Sequence, residues 1–117
     1  MGRRVVITGM APLTSVGTGN EAYWSNLVQG KSGIDRIKRF DAEGLAAMIA
    51  GEVVDFDPGK YMDSKEARRM DRFQQFAVAA SLLALDDAEL EITPDIADMT
   101  GVLIGSGIGG LGTMEES

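Results

Sequence analysis

The chain has 117 residues, 44% hydrophobic and 25% charged, which suits one domain with a real core and excludes both a disordered segment and a two-domain protein. Eleven Lys and Arg against eighteen Asp and Glu leave a formal net charge of −7. So acidic a chain repels nucleic acid and anionic membrane, and any anionic partner must be met by a local basic patch. Cysteine and histidine are both absent. That excludes a disulfide framework, a Cys/His metal site, a thiol nucleophile and an imidazole base.

In chain order, Arg3 to Thr8 is β-branched with little alternation and reads as a strand buried on both faces. The apolar stretch here is too short for a signal peptide, and no run is long enough to span a bilayer, so the protein is expected to be cytoplasmic. Gly9 ends the strand, and Met10 to Gly19 is a loop containing Pro12. Asn20 reads as a helix N-cap with Glu21 in the first turn, and Gly30 as the C′ residue. Between them Tyr23, Trp24, Leu27 and Val28 fall at helical spacing, and the aromatic pair is expected to anchor the helix on the core. Ser32 to Asp41 is short and polar. Met48 to Val54 reads as a strand, ended by the turn Asp57-Pro58-Gly59.

The spacing then predicts one long helix, capped by Asp63 or Ser64 and running to about Glu89, with Glu66 at N3 if Asp63 is the cap. Its half from Phe76 to Leu85 carries one polar residue, Ser81, and so predicts a helix buried on every side. Thr93-Pro94 opens a short helical turn. A strand at 100–104 runs into glycines at 105, 107, 109, 110 and 112. The order strand, helix, strand, buried helix, strand is α/β, with a largely parallel sheet covered by helices on both faces.

Two features could carry function. Gly105-Ser106-Gly107-Ile108-Gly109-Gly110 matches the dinucleotide fingerprint G-x-G-x-x-G after a strand. It follows two earlier strands rather than opening the domain, however, and close backbone packing needs the same lack of Cβ atoms. Lys65, Arg68, Arg69 and Arg72 stand at i, i+3, i+4 and i+7, which puts them on one face of the expected helix. Cations in the first turns oppose the helix dipole, which points to a docking site for an acidic partner; a solvated face is the other reading.

With these residues in view, the chain resembles the N-terminal segment of a β-ketoacyl-acyl-carrier-protein synthase of the elongating, type II kind. The likeness runs through RRVVITGM at the start, the tryptophan of the first helix, QGKSGI at 29–34 and SKEARRMDRFQQFAVAAS at 64–81. It continues in LEIT at 90–93 and IGSGIGGLGTMEE at 104–116, so residues 1–117 would be the N-terminal portion of the thiolase-like domain. The family usually has a glycine where Met10-Ala11-Pro12 stands, so this one loop departs from the pattern.

The resemblance implies a thiolase-like fold, five layers in the order αβαβα, with the Phe76–Leu85 helix in the central layer. It implies decarboxylative condensation of an acyl thioester with malonyl on acyl carrier protein, in a homodimer, with no cofactor beyond the carrier's phosphopantetheine arm. The family's cysteine nucleophile and two histidines have no counterpart here, so no catalytic residue and no metal ligand carries over. This chain alone is expected to be inactive and to expose an apolar face that makes it aggregate.

Lys65, Arg68 and Arg69 match carrier-docking positions, and Ile108 matches a position lining and gating the acyl pocket. A polyketide relative, a non-catalytic carrier-binding domain and a nucleotide-binding module acting through the 105–110 loop are the other functions these residues leave open.

Overall fold

The computed structural model describes residues 2–116, which divide into two compact units. One comprises Ala11–Phe56; the other joins the N-terminal segment, up to Met10, to the chain from Asp57 onward.

In the first unit, residues 12–19 fold back on themselves through a Leu13–Thr18 bridge and a Gly19 N–H bond to the Pro12 carbonyl at 2.8 Å. Helix α1 spans Asn20–Val28. Gly19, at φ 82°, takes the N-cap position expected for Asn20, which becomes the first helical residue. The Asn26 amide donates to the Val16 carbonyl at 2.6 Å and ties helix to loop. At the other end Gly30 stands at C′ with φ 68°, as its position in the sequence implies. Gly30 N–H bonds Leu27 O and Lys31 N–H bonds Asn26 O, a Schellman closure.

Strands β1 (Ile34–Arg36) and β2 (Ile49–Gly51) pair antiparallel, with Asp35 opposite Ala50. The Glu52 carboxylate accepts the Lys38 and Arg39 N–H groups beyond β1, at 2.8 and 3.3 Å.

Two expectations are corrected here. The described sheet is a two-stranded antiparallel ribbon, not a parallel one. Its first strand lies in the stretch that reads as polar, because β1 is exposed along its length and leaves no alternating pattern to find. Trp24 does not anchor α1 on a core: it is 67% exposed, while Tyr23 is half-buried.

In the second unit, Asp57 caps a single 3₁₀ turn, Pro58–Lys60, accepting the Gly59 N–H at 2.9 Å. Two helices then replace the single long one expected: α2 (Ser64–Ala67) and α3 (Arg72–Asp87). Arg69 and Met70 N–H groups bond back three residues, to Glu66 and Ala67, tightening the chain out of the α-helix. Asp71 then takes extended dihedrals and starts a new helix.

Helix α3 ends with Glu89 at φ 49°, its neighbour Leu90 bonding Leu85 O at 3.0 Å. Short helices α4 (Pro94–Ala97, Thr93 at its N-cap) and α5 (Leu111–Glu115) follow.

The segments 3–8 and 100–104, expected to be buried strands, enter no ladder among the described residues. Val5 is 90% and Leu103 97% exposed. Both flank α3 around an open cleft of about 350 Å³ lined by Gly9, Ala84, Ala88 and Val102. A parallel strand gains its backbone bonds only from neighbouring strands, so composition alone does not build one.

For the same reason α3 is half-buried rather than buried all round. The buried hydrophobic residues described are three alanines, Ala42, Ala67 and Ala79, in place of the substantial core that composition implies. No helix among the described residues is long and apolar enough to cross a membrane.

Gly9 is where the N-terminal segment meets α3. A Cβ there would lie 2.7 Å from both the Ala88 Cβ and its backbone nitrogen, and Met10 N–H bonds the Asp87 carboxylate at 2.9 Å. Gly9→Ala should therefore destabilise the fold by about 1–3 kcal/mol, the range for overpacking. Thermal denaturation checks it, an unshifted midpoint being the contrary result.

Candidate functional site

The basic segment begins with a cap. One Asp63 carboxylate oxygen accepts the Lys65 and Glu66 N–H groups at 2.8 and 2.9 Å, so the short α2 starts at a defined place. Lys65, Arg68 and Arg69 are all exposed, and among the described residues none of the three forms an ion pair. The Arg68 Nε donates to the Ser64 carbonyl at 3.0 Å, laying that side chain back along α2.

The four cations do not form the single helical stripe that their spacing predicts. Lys65 lies within α2, Arg68 is its C-cap, Arg69 lies in the connection and Arg72 opens α3. Arg72 is also half-buried, its guanidinium 4.9 Å from the centre of the Phe76 ring, which makes it part of α3 packing. The exposed group is therefore the first three.

The corner between α2 and α3 is fastened by Gln75. Its amide donates to the Ala67 carbonyl at 2.8 Å and the Met70 carbonyl at 3.2 Å, bridging the end of α2 and the connection. Asp71 closes a capping box with Gln74, whose side-chain oxygen accepts the Asp71 N–H at 2.8 Å.

The same Asp71 carboxylate accepts the Thr113 hydroxyl of α5 and lies directly against Gly110. Gly109, at φ 83°, faces the Phe73 ring, which a Cβ would approach to 3.0 Å. The glycine loop is thus fastened to the first turn of α3. Ile108, one residue before the fastened part, is 70% exposed.

This geometry does not suit a dinucleotide. The space over Gly110 is taken by a carboxylate that repels phosphate. No cluster of three or more acidic, Cys or His residues that could hold a metal occurs among the described residues. Sequence reasoning missed Asp71, Phe73, Gln75 and Thr113. The signal available for the first was Asp71-x-x-Gln74, a second capping pattern inside an apparently continuous helix.

The family model for the β-ketoacyl synthase N-terminal domain matches residues 2–117, and the chain belongs to that family. It is 50% identical over 114 residues to 3-oxoacyl-[acyl-carrier-protein] synthase 2 of Synechocystis sp., covering 97% of this chain and 27% of that protein. The proteins of the same description from Vibrio harveyi and Staphylococcus aureus (strain COL) are 51% and 48% identical over 113 residues, again over 97% of this chain and 27% of theirs. The chain thus spans about a quarter of the length of these curated relatives. Among solved structures, the ishigamide ketosynthase/chain length factor matches with a TM-score of 0.70 and 46% identity, over 76% of this chain and 22% of that one. Together these place the chain in the thiolase-like fold.

The cap has a pH signature. Hydrogen bonds from the Glu66 and then the Lys65 N–H hold the Asp63 carboxyl below its ordinary range. A group with a lowered folded pKa stabilises above its unfolded pKa and loses that contribution as pH falls through the folded value. The Lys65 and Glu66 amide shifts should therefore titrate together with a midpoint below that of an ordinary aspartate. NMR titration reads it, and an ordinary midpoint would show the cap to be absent.

Proposed function

We propose that the chain is the N-terminal portion of a 3-oxoacyl-acyl-carrier-protein synthase that elongates acyl chains in fatty acid biosynthesis, and that residues 63–69 form its carrier-docking corner. In this reading the complete enzyme is a cytoplasmic homodimer with the five-layered αβαβα arrangement. Segments 3–8 and 100–104 become strands once the rest of the sheet supplies their neighbours.

An acyl group passes from the carrier's phosphopantetheine thioester to a cysteine thiolate. Malonyl on a second carrier loses carbon dioxide, and the resulting carbanion attacks the acyl-enzyme carbonyl, displacing the cysteine. The thiol and the histidines that promote decarboxylation and stabilise the oxyanion belong to the remainder of the protein, since this chain has no Cys or His. Its own part is to bring the carrier to the entrance and, through Ile108, to line the acyl pocket.

The observation that carries this reading is the presentation of Lys65, Arg68 and Arg69. Three exposed cations stand on a capped, fastened corner of a chain whose net charge is −7. On such a chain a cationic patch gives an acidic carrier protein complementary charge. The Lys65→Glu, Arg69→Glu double variant of the complete enzyme should weaken carrier binding by roughly 100-fold or more, since juxtaposed like charges cost several kcal/mol. Calorimetric titration with acyl carrier protein measures it, and an unchanged affinity would sink the docking assignment.

For the pocket, Ile108→Ala should move the product chain-length profile of the complete enzyme toward longer chains. An unaltered profile would leave Ile108 with a packing role only. The likeness to a ketosynthase/chain length factor at 46% identity keeps polyketide chain extension as a second reading. The same product profile separates the two, because a fatty-acid synthase accepts fully reduced acyl primers.

A further inference from the structure

We propose that the hydrogen bond from Thr113 to Asp71 is a positioning device that presents Ile108 in one place and thereby sets which acyl lengths the enzyme accepts. The inference rests on the reading of Ile108 as a pocket-wall residue.

The loop cannot place Ile108 by itself. Glycines stand at 105, 107, 109 and 110, and this run has the greatest backbone freedom any sequence offers. At Gly105, Gly107 and Gly112 an added Cβ would meet nothing within 4 Å, so crowding does not confine the chain there. Whatever fixes Ile108 must therefore come from another element.

Among the described residues, the contacts that could do so converge on the first turn of α3. The Thr113 hydroxyl donates to Asp71, Gly110 lies against the same carboxylate, and Gly109 lies against the Phe73 ring. Asp71 is itself held by the capping box with Gln74, and α3 behind it is the longest helix described. A rigid element thus holds a carboxylate and a ring: the ring lies against Gly109, where the turn after Ile108 begins, and the carboxylate lies against Gly110 and accepts from Thr113. Asp71 and Thr113 act through Ile108 and are positioning residues; neither is assigned contact with substrate.

The test uses the complete synthase. Thr113→Val keeps the side-chain shape and removes the donor, Thr113→Ser keeps the donor, and Ile108→Ala is the reference for an opened pocket wall. The readout is the ratio of kcat/KM for long-chain to short-chain acyl carriers, together with KM for malonyl carrier and hydrogen exchange of the 107–112 amides.

Losing a hydrogen bond to a charged acceptor should move the Thr113→Val ratio by about fivefold in the direction of Ile108→Ala, with KM for malonyl carrier unchanged. The 107–112 amides should exchange faster in Thr113→Val and at the native rate in Thr113→Ser, whose ratio should also be native. Asp71→Asn keeps an acceptor without the charge and should lie between.

A native ratio in Thr113→Val, beside a shifted one in Ile108→Ala, overturns the inference and leaves the pocket-wall reading standing. A native ratio in Ile108→Ala itself overturns the pocket-wall reading, and this inference falls with it.

Discussion

One carboxylate organises both the basic corner and the glycine loop. Asp71 ends the α2 segment, starts α3 through its capping box, and takes the Thr113 hydroxyl and Gly110 against its side chain. These roles need the same charge in the same place. An acidic group belongs at a helix N-terminus, where the unsatisfied N–H groups carry partial positive charge. Its spare lone pairs can then accept from outside the helix. The basic segment before α3 and the glycine loop some forty residues later are both located by what happens at that one helix start.

The electrostatics of the corner follow from the break in the helix. Had 63–89 been one helix, its dipole would have opposed a continuous row of cations along the first turns. Dividing the run leaves α2 too short to sustain a large dipole and gives each segment its own acidic cap, Asp63 and Asp71. Arg72, at the start of α3, is turned onto the Phe76 ring, where the quadrupole of the aromatic face attracts it. The remaining three cations stay exposed at small local cost.

What could be read from the sequence was local. The Gly30 closure of α1, the Asp57-Pro58-Gly59 turn, the Asp63 cap with Glu66 and the Thr93-Pro94 start all depend on residues a few positions apart, and all are present. What failed depends on distant partners or on competing local signals. Val5 and Leu103 have strand-forming side chains, yet a ladder is a property of neighbours, and none is supplied to them among the described residues. The helix break went unseen because apolar periodicity runs on through Met70 while the Asp71–Gln74 box interrupts it. The basic positions showed in their spacing and Ile108 through family likeness, whereas Asp71, Phe73 and Thr113 come together only in three dimensions, since no periodicity links residue 71 to residue 113.

The Gln75 amide bears on how a partner would be discriminated. By bonding the Ala67 and Met70 carbonyls at once it makes the bend between α2 and α3 a stiff corner instead of a swivel. Charges borne on a swivel can follow almost any pattern of carboxylates and give up conformational freedom with each one they meet. Charges borne on a stiff corner reward only an acidic surface whose spacing already matches, and surrender less freedom when it arrives. In the proposed docking, this one uncharged side chain would convert a generic attraction for acidic proteins into a geometric template.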